Sequence, residues 1–146
     1  MTKKQKTMAA WIVVIIAFFG GFALANVQNK VPPVIDVIMQ YFDIGETDAG
    51  WLTSIFTIMG MVTAIPTSML MRKLGPKKIG VISLACAAVG GVIGAFATEL
   101  WLLMATRVLE GVGVGMIAVV GPAVIAMWFP AEKRGLPMGL WGSWMM

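Results

Sequence analysis

Residues 100–129, LWLLMATRVLEGVGVGMIAVVGPAVIAMWF, form the longest apolar run of the chain, interrupted by only two charged side chains, Arg107 and Glu110. As a helix this run is about 45 Å long, more than the roughly 30 Å of a bilayer's hydrocarbon core. Three more runs precede it. The first extends from Met8 to about Val27, the second from Trp51 to Met71 and the third from Ile79 to Ala97, each near the roughly 20 residues a crossing needs. Downstream, the polar stretch Pro130–Gly135 leads into a last apolar segment, Leu136 to Met146, whose length of about 16 Å as a helix is too short to cross. The expected fold is an all-α polytopic membrane protein with four full spans and the start of a fifth. Helices are expected at about 9–38, 48–71, 79–97, 100–129 and 136–146, behind a basic head at 1–8, with 9–146 forming one transmembrane domain.

Composition supports lipid as the solvent. Of 146 residues, 59% are hydrophobic and 12% charged, against roughly 45–50% and about 25% in a soluble domain. The mean hydropathy is +0.88. Histidine is absent, which removes the commonest general base and metal ligand, and with them the familiar hydrolases. The single cysteine, Cys86, lies inside an apolar run, so no intrachain disulfide or thiolate metal cluster is available. Neither an enzyme nor a cofactor is expected.

The net charge of +4 does not describe a nucleic-acid face, because the cations are distributed in register with the apolar runs. Lys3, Lys4 and Lys6 precede the first run; Arg72, Lys73, Lys77 and Lys78 follow the second; Lys133 and Arg134 follow the fourth. Nine of the eleven cations thus fall on one side of an alternating path, and the intervening loops carry Asp36, Asp43, Glu46, Asp48 and Glu99. Cytoplasmic loops carry an excess of Lys and Arg, so the N-terminus is expected in the cytoplasm of a multi-pass plasma (inner) membrane protein. A secretory signal ending near Ala23-Leu24-Ala25 is the competing reading. Its apolar core would be long for a signal, and its removal would orphan the charge alternation.

Two cations lie at or near membrane depth, Lys30 and Arg107. Such groups are costly in lipid and usually face a polar cavity or a partner. On a first helix continuing to about residue 38, kinked by Pro32 and Pro33, the side chains of Asn26, Asn29, Lys30 and Pro33 share one face and read as cavity lining. Lys30 alone also reads as a side chain reaching the interface. Arg107 and Glu110, three residues apart, can form an ion pair, read either as a coupling group or as a neutralised structural pair. Burial favours the neutral acid and Arg107 the carboxylate, so the spacing leaves the protonation of Glu110 open. Gly111, Gly113 and Gly115 follow no strand and therefore do not make a phosphate loop. Gly90 with Gly94, and Gly111 with Gly115, have the small-xxx-small spacing of close helix packing. Thr47 or Asp48 is the expected N-cap of the second span, and Gly75-Pro76 a tight turn after it.

Arg107-Val-Leu-Glu110-Gly111-Val-Gly113 resembles the Arg-x-x-Gln-Gly-x-Gly motif of the major facilitator superfamily, with Glu110 where glutamine is usual. The turn Leu70-Met-Arg72-Lys73-Leu-Gly75-Pro-Lys77-Lys78 is similar to that family's basic loop after its second helix. Ser68 replaces its first glycine and Arg72 its aspartate, so the usual gate ion pair is not reproduced. Trp128 to Gly135, followed by Met138-Gly139, is similar to the connection between the fourth and fifth helices.

The resemblance implies a partial six-helix amino-terminal bundle of a twelve-helix secondary transporter, working by alternating access against a carboxy-terminal bundle that is missing here. It assigns Asn26, Asn29, Lys30 and Arg107 to the substrate cavity and Arg107 and Glu110 to coupling. Arg72, Lys73, Gly75, Lys77 and Lys78 fall to a cytoplasmic gate loop. Two cavity cations favour a small organic or inorganic anion, as in the cyanate and nitrate permease-like branches. The expected partners are membrane lipid, a small-molecule substrate and the missing bundle, with no nucleic acid. The competing reading is a complete small four-helix oligomeric membrane protein, an exporter or interaction subunit. Against it stand the 11-residue apolar tail and the absence of an acid before Asp36 in the first span.

Overall fold

The structure, a computed structural model, describes residues 3–145 of the 146. The side chains of Lys3, Lys4 and Lys6, which make up the expected basic head, lie outside the described residues. Among the described residues six α-helices follow one another: α1 Lys3–Asn29, α2 Ile35–Phe42, α3 Glu46–Leu74, α4 Pro76–Ala95, α5 Leu100–Trp128 and α6 Gly135–Gly142. No strand occurs among the described residues. Helices α3, α4 and α5 each reach membrane-crossing length and hydropathy, and so does the path through α1 and α2.

The first span is broken rather than continuous. Helix α1 stops at Asn29, a 3-10 turn covers Pro32–Val34, and α2 resumes at Ile35. Pro32 and Pro33 have no amide hydrogen to offer the carbonyls of Gln28 and Asn29, so the helical ladder stops there. Pro33 consequently leaves the face it would share with Asn26 and Asn29 on an unbroken helix. Asp43, in the left-handed region at φ 51°, closes α2, and the Ile44 amide donates to the Met39 carbonyl at 3.0 Å. This early stop lets α3 begin at Glu46, and its N-cap is Gly45 rather than Thr47 or Asp48. Glycine is accepted there, and Glu46 and Asp48 lie in the first turn, where carboxylates complement the helix dipole. Gly75 turns the chain from α3 into α4 at φ 78°, with Pro76 at the first helical position, where its missing amide costs nothing.

Helix α5 is the centre of the bundle and lies against α1, α3 and α4. Its glycines alternate in direction. A Cβ on Gly111 would fall on the Phe56 carbonyl, and one on Gly115 on the Gly60 backbone, both in α3. A Cβ on Gly113 would lie 2.7 Å from the Ser83 carbonyl in α4, where the Ser83 hydroxyl donates to the Gly113 carbonyl at 2.7 Å. From α4, Gly90 and Gly94 approach Thr106 and Glu110 of α5. Backbones must come this close because helices in lipid gain nothing from burying apolar surface and associate through packing and hydrogen bonds. Two apolar clusters complete the interior. One joins α1, α5 and the end of the chain around Val14, Ile125, Trp141 and Trp144; the other joins α1, α4 and α5 around Leu24, Ile79, Ile117 and Val120.

The exterior inverts the pattern of a soluble protein. Ile65 and Phe96 are 73% and 79% exposed, whereas Arg107 and Glu110 are 2% and 0% exposed. Apolar side chains outside and charges inside suit a lipid surround.

Because the atoms facing Gly115 are backbone, Gly115→Ala must separate α3 from α5. It is expected to destabilise the folded protein by about 1–3 kcal/mol in reversible detergent unfolding. Gly139→Ala, which meets nothing within 4 Å, should not destabilise the protein and is expected to stabilise it by up to about 1 kcal/mol through helix propensity.

Candidate functional site: an ionic cluster at the break in the first span

Arg107 stands two turns into α5, where the Leu100 start of the helix brings it level with the end of α1. Its Nη1 donates to the Val27 carbonyl at 3.3 Å. That carbonyl belongs to the last turn of α1, whose carbonyls have no intrahelical partner, so a cation there also complements the negative end of the helix. The guanidinium carbon lies 5.6 Å from the centre of the Phe56 ring, close enough for a cation–π contact from α3.

Glu110, one turn on, is fully buried. Its Oε2 pairs with Arg107 Nη2, the contact that the three-residue spacing allows. Its Oε1 accepts from Lys30 Nζ at 2.5 Å. Lys30 is the first residue after α1, eighty positions away in the chain, and its side chain is 41% exposed. One carboxylate is thus held between two cations, and the cluster carries a formal excess of one positive charge.

The space for this carboxylate is made by glycine. A Cβ on Gly90 would lie 2.7 Å from Glu110 Cγ, and one on Gly91 would lie 3.5 Å from Oε1 and 3.8 Å from Lys30 Nζ. Any larger residue at Gly90 would displace Glu110 from between its partners.

The other cavity candidates are placed differently. Asn26 and Asn29 are exposed, and each donates its amide to its own helix: Asn26 to the Phe22 carbonyl at 2.8 Å, Asn29 to the Ala25 carbonyl at 3.0 Å. Neither touches the ionic cluster by hydrogen bond. Asn29 and Arg107 do share a crevice of about 120 Å³ with Gln28, Pro32, Leu52, Thr53, Phe56 and Thr57. Arg72, Lys73, Lys77 and Lys78 lie around the Gly75 turn, at the junction of α3 and α4. Arg134, in the later basic connection, caps α5 by donating to the Phe129 and Ala126 carbonyls at 2.9 and 2.8 Å. A larger, open cavity of about 870 Å³ lies between the start of α1 and this connection, lined by Trp11, Trp128 and Lys133 among others. It contains none of the cluster residues.

Sequence reasoning missed four contributors: Phe56, Gly91, Thr53 and Thr57. The two threonines stand four apart at the start of an apolar helix, a spacing that places them on one face. Nothing local marks Phe56 or Gly91, whose partners are distant in the chain. No group of three or more metal-ligating side chains occurs among the described residues.

Removing the carboxylate would leave two cations without a counter-charge. Glu110→Ala is therefore expected to destabilise by about 3–5 kcal/mol, and Lys30→Met, at a partly exposed position, by about 1 kcal/mol or less. Detergent unfolding of both single variants and the double variant measures this. A strictly additive double would show that the contact carries no coupling.

Comparison with known proteins agrees with this architecture. The family profile of the Major Facilitator Superfamily matches residues 8–146. The chain is 27% identical over 139 residues to the uncharacterized MFS-type transporter YcnB of Bacillus subtilis (strain 168), covering 95% of this chain and 29% of that protein. It is 24% identical over 145 residues to the D-xylose transporter of Levilactobacillus brevis, covering 97% and 31%. With the nitrate/nitrite transporter NrtP of Picosynechococcus sp. it shares 31% over 128 residues, 88% of this chain and 23% of that one. The chain spans about a quarter to a third of the length of these relatives. The relatives are named as transporters rather than enzymes, and the four crossing helices make this a multi-pass membrane protein. With the profile covering nearly its whole length, the chain belongs to the Major Facilitator Superfamily and corresponds to part of an amino-terminal half.

Proposed function

We propose that this chain forms part of a secondary transporter that moves a small anion across the membrane by alternating access. The observation that carries the reading is the ionic cluster: two cations meet one carboxylate at membrane depth, leaving an uncompensated positive charge beside the break in the first span. An excess charge of this kind, carried to a partly exposed Lys30, attracts a counter-ion, and solute is a mobile species that can supply one. Among the relatives, NrtP is named for nitrate and nitrite and another for D-xylose; the charge of the cluster favours the anion.

In this reading Asn26 and Asn29, exposed in the last turn of α1, face the solute path, while Arg107 and Glu110 couple its binding to helix movement. The break at Lys30–Val34 supplies the irregular backbone that transporters place where substrate passes. A second bundle, from the remainder of the full-length protein, closes the other wall of the cavity. The distribution of Arg72, Lys73, Lys77, Lys78 and Arg134 supports an N-terminus in the cytoplasm of the plasma (inner) membrane, with the Gly75 turn as a gate against the second bundle.

The full-length gene product in proteoliposomes is expected to take up labelled small anions, measured with and without a pH gradient. Arg107→Ala and Lys30→Ala, once shown to insert and fold, should each reduce uptake about tenfold or more, the loss expected for a charge-assisted hydrogen bond. Uptake unchanged in both variants would make the two cations structural. For orientation, single cysteines at Lys77 and Gly45 in a Cys86→Ser background should react with impermeant reagents from opposite faces, the first from the cytoplasm.

A further inference from the structure

The three charges of the cluster differ in how firmly they are held. Arg107 is anchored to three helices, through the Val27 carbonyl of α1, the Phe56 ring of α3 and Glu110 of α5, and its side chain is 2% exposed. Glu110 has no exposed surface and lies against Gly90 of α4. Lys30 is different. It follows the end of α1, in the short break before the 3-10 turn at Pro32, and its side chain is 41% exposed. Its hydrogen bond to Glu110 Oε1 uses one of the three ammonium hydrogens. The other two belong to the one member of the cluster that offers a solute any appreciable surface.

Glu110 has a second way to be satisfied. Nε and Nη2 form one edge of a guanidinium, and a carboxylate fits that edge with both oxygens. Here only Oε2 pairs with the edge, at Nη2, because Oε1 is held by Lys30. Nε of Arg107 is buried and has no hydrogen-bond partner. No solute reaches that N–H, but Oε1 shares its carboxyl carbon with Oε2 and needs only a turn of the carboxylate to meet it. A buried N–H without an acceptor is costly, so filling the edge offsets part of the cost of parting Lys30 from Glu110. Charge acts in the same direction. Arg107 and Glu110 by themselves are neutral, and the excess positive charge leaves with Lys30.

We propose that Lys30 is the exchangeable arm of the cluster and that Glu110 is the solute's built-in competitor for it. A small anion takes the Lys30 ammonium from Oε1, and Glu110 answers by closing both oxygens on Nε and Nη2 of Arg107. The inference rests on the anion reading above and deepens it by naming which group the solute meets and what the meeting releases. Two polar ties join the end of the first helix to α5, Lys30 to Glu110 and Arg107 to Val27. With the anion bound, the second remains and the first is gone. Binding thereby loosens one helix junction through a swap of partners, and no buried charge is left unopposed.

The test uses the full-length gene product in nanodiscs of zwitterionic phosphatidylcholine, titrated with sodium nitrate and followed by calorimetry. Glu110→Gln, which removes the competitor, is expected to bind nitrate at least tenfold more tightly than the parent, whereas loss of a merely structural bridge would weaken binding. Lys30→Gln should bind at least tenfold more weakly than the parent. The double variant should lose the gain, because the gain depends on Lys30. A second measurement needs no change at Glu110. In infrared difference spectra nitrate is expected to shift a buried carboxylate stretch of the parent and to leave it unmoved in Lys30→Gln, where Glu110 already sits on both arms of Arg107. Unchanged or weaker binding by Glu110→Gln overturns the proposal, as does a double variant that keeps the tight binding, which puts the anion on Arg107. A parent spectrum without a carboxylate shift overturns it too. Any of these with anion uptake intact in proteoliposomes removes the exchange and leaves the transport reading standing. Exchange without uptake does the reverse.

Discussion

The burial of one carboxylate organises this bundle. Glu110 has no exposed surface, and an ionised group in that position is tolerated only with its charge opposed and its oxygens occupied. Arg107 meets it from the same helix and Lys30 from the junction after α1. The same guanidinium holds the Val27 carbonyl, so the broken end of the first helix is joined twice to α5, through Val27 and through Lys30. Breaking the first span at Pro32 would otherwise leave its last carbonyls without donors in a medium that has none to spare. The break and the charge cluster each supply what the other lacks.

Close approach of helices is the second constraint, and it serves the first. Gly111 and Gly115 let α3 reach α5 backbone to backbone, bringing Phe56 onto Arg107. On α4, Gly90 and Gly91 clear the volume that Glu110 and the Lys30 ammonium occupy. Glycine lowers helix propensity, yet in lipid the lost propensity is offset by the tighter packing and the interhelical hydrogen bonds that close backbones permit. The glycines that draw the helices together are thus among the residues that shape the site.

Much of the architecture was legible because lipid imposes simple rules on composition. The spans appear as apolar runs, and the motif around Arg107 resembles a family whose profile covers residues 8–146. The Arg107–Glu110 pair was also legible, since three residues is a fixed distance on a helix. The stripe of Asn26, Asn29, Lys30 and Pro33 was legible only in part, because it assumed a continuous helix. Helix α1 ends at Asn29, and the two asparagines turn their amides onto their own backbone. Local periodicity holds only as far as the local helix does.

The sequence by itself determined which runs are long and apolar enough to cross a membrane, where the chain must turn, and that Arg107 and Glu110 lie inside one such run with Lys30 just after another. Hydropathy, proline, glycine and charge act over a few neighbouring residues, so a linear reading captures them. Only the tertiary structure decided that Lys30 meets Glu110 across eighty residues, that Phe56 lies beside Arg107, and that Asn29, Thr53 and Thr57 line one crevice. Those contacts depend on how helices pack side by side. Packing is set by the fit of whole surfaces to one another, which no window along the chain contains.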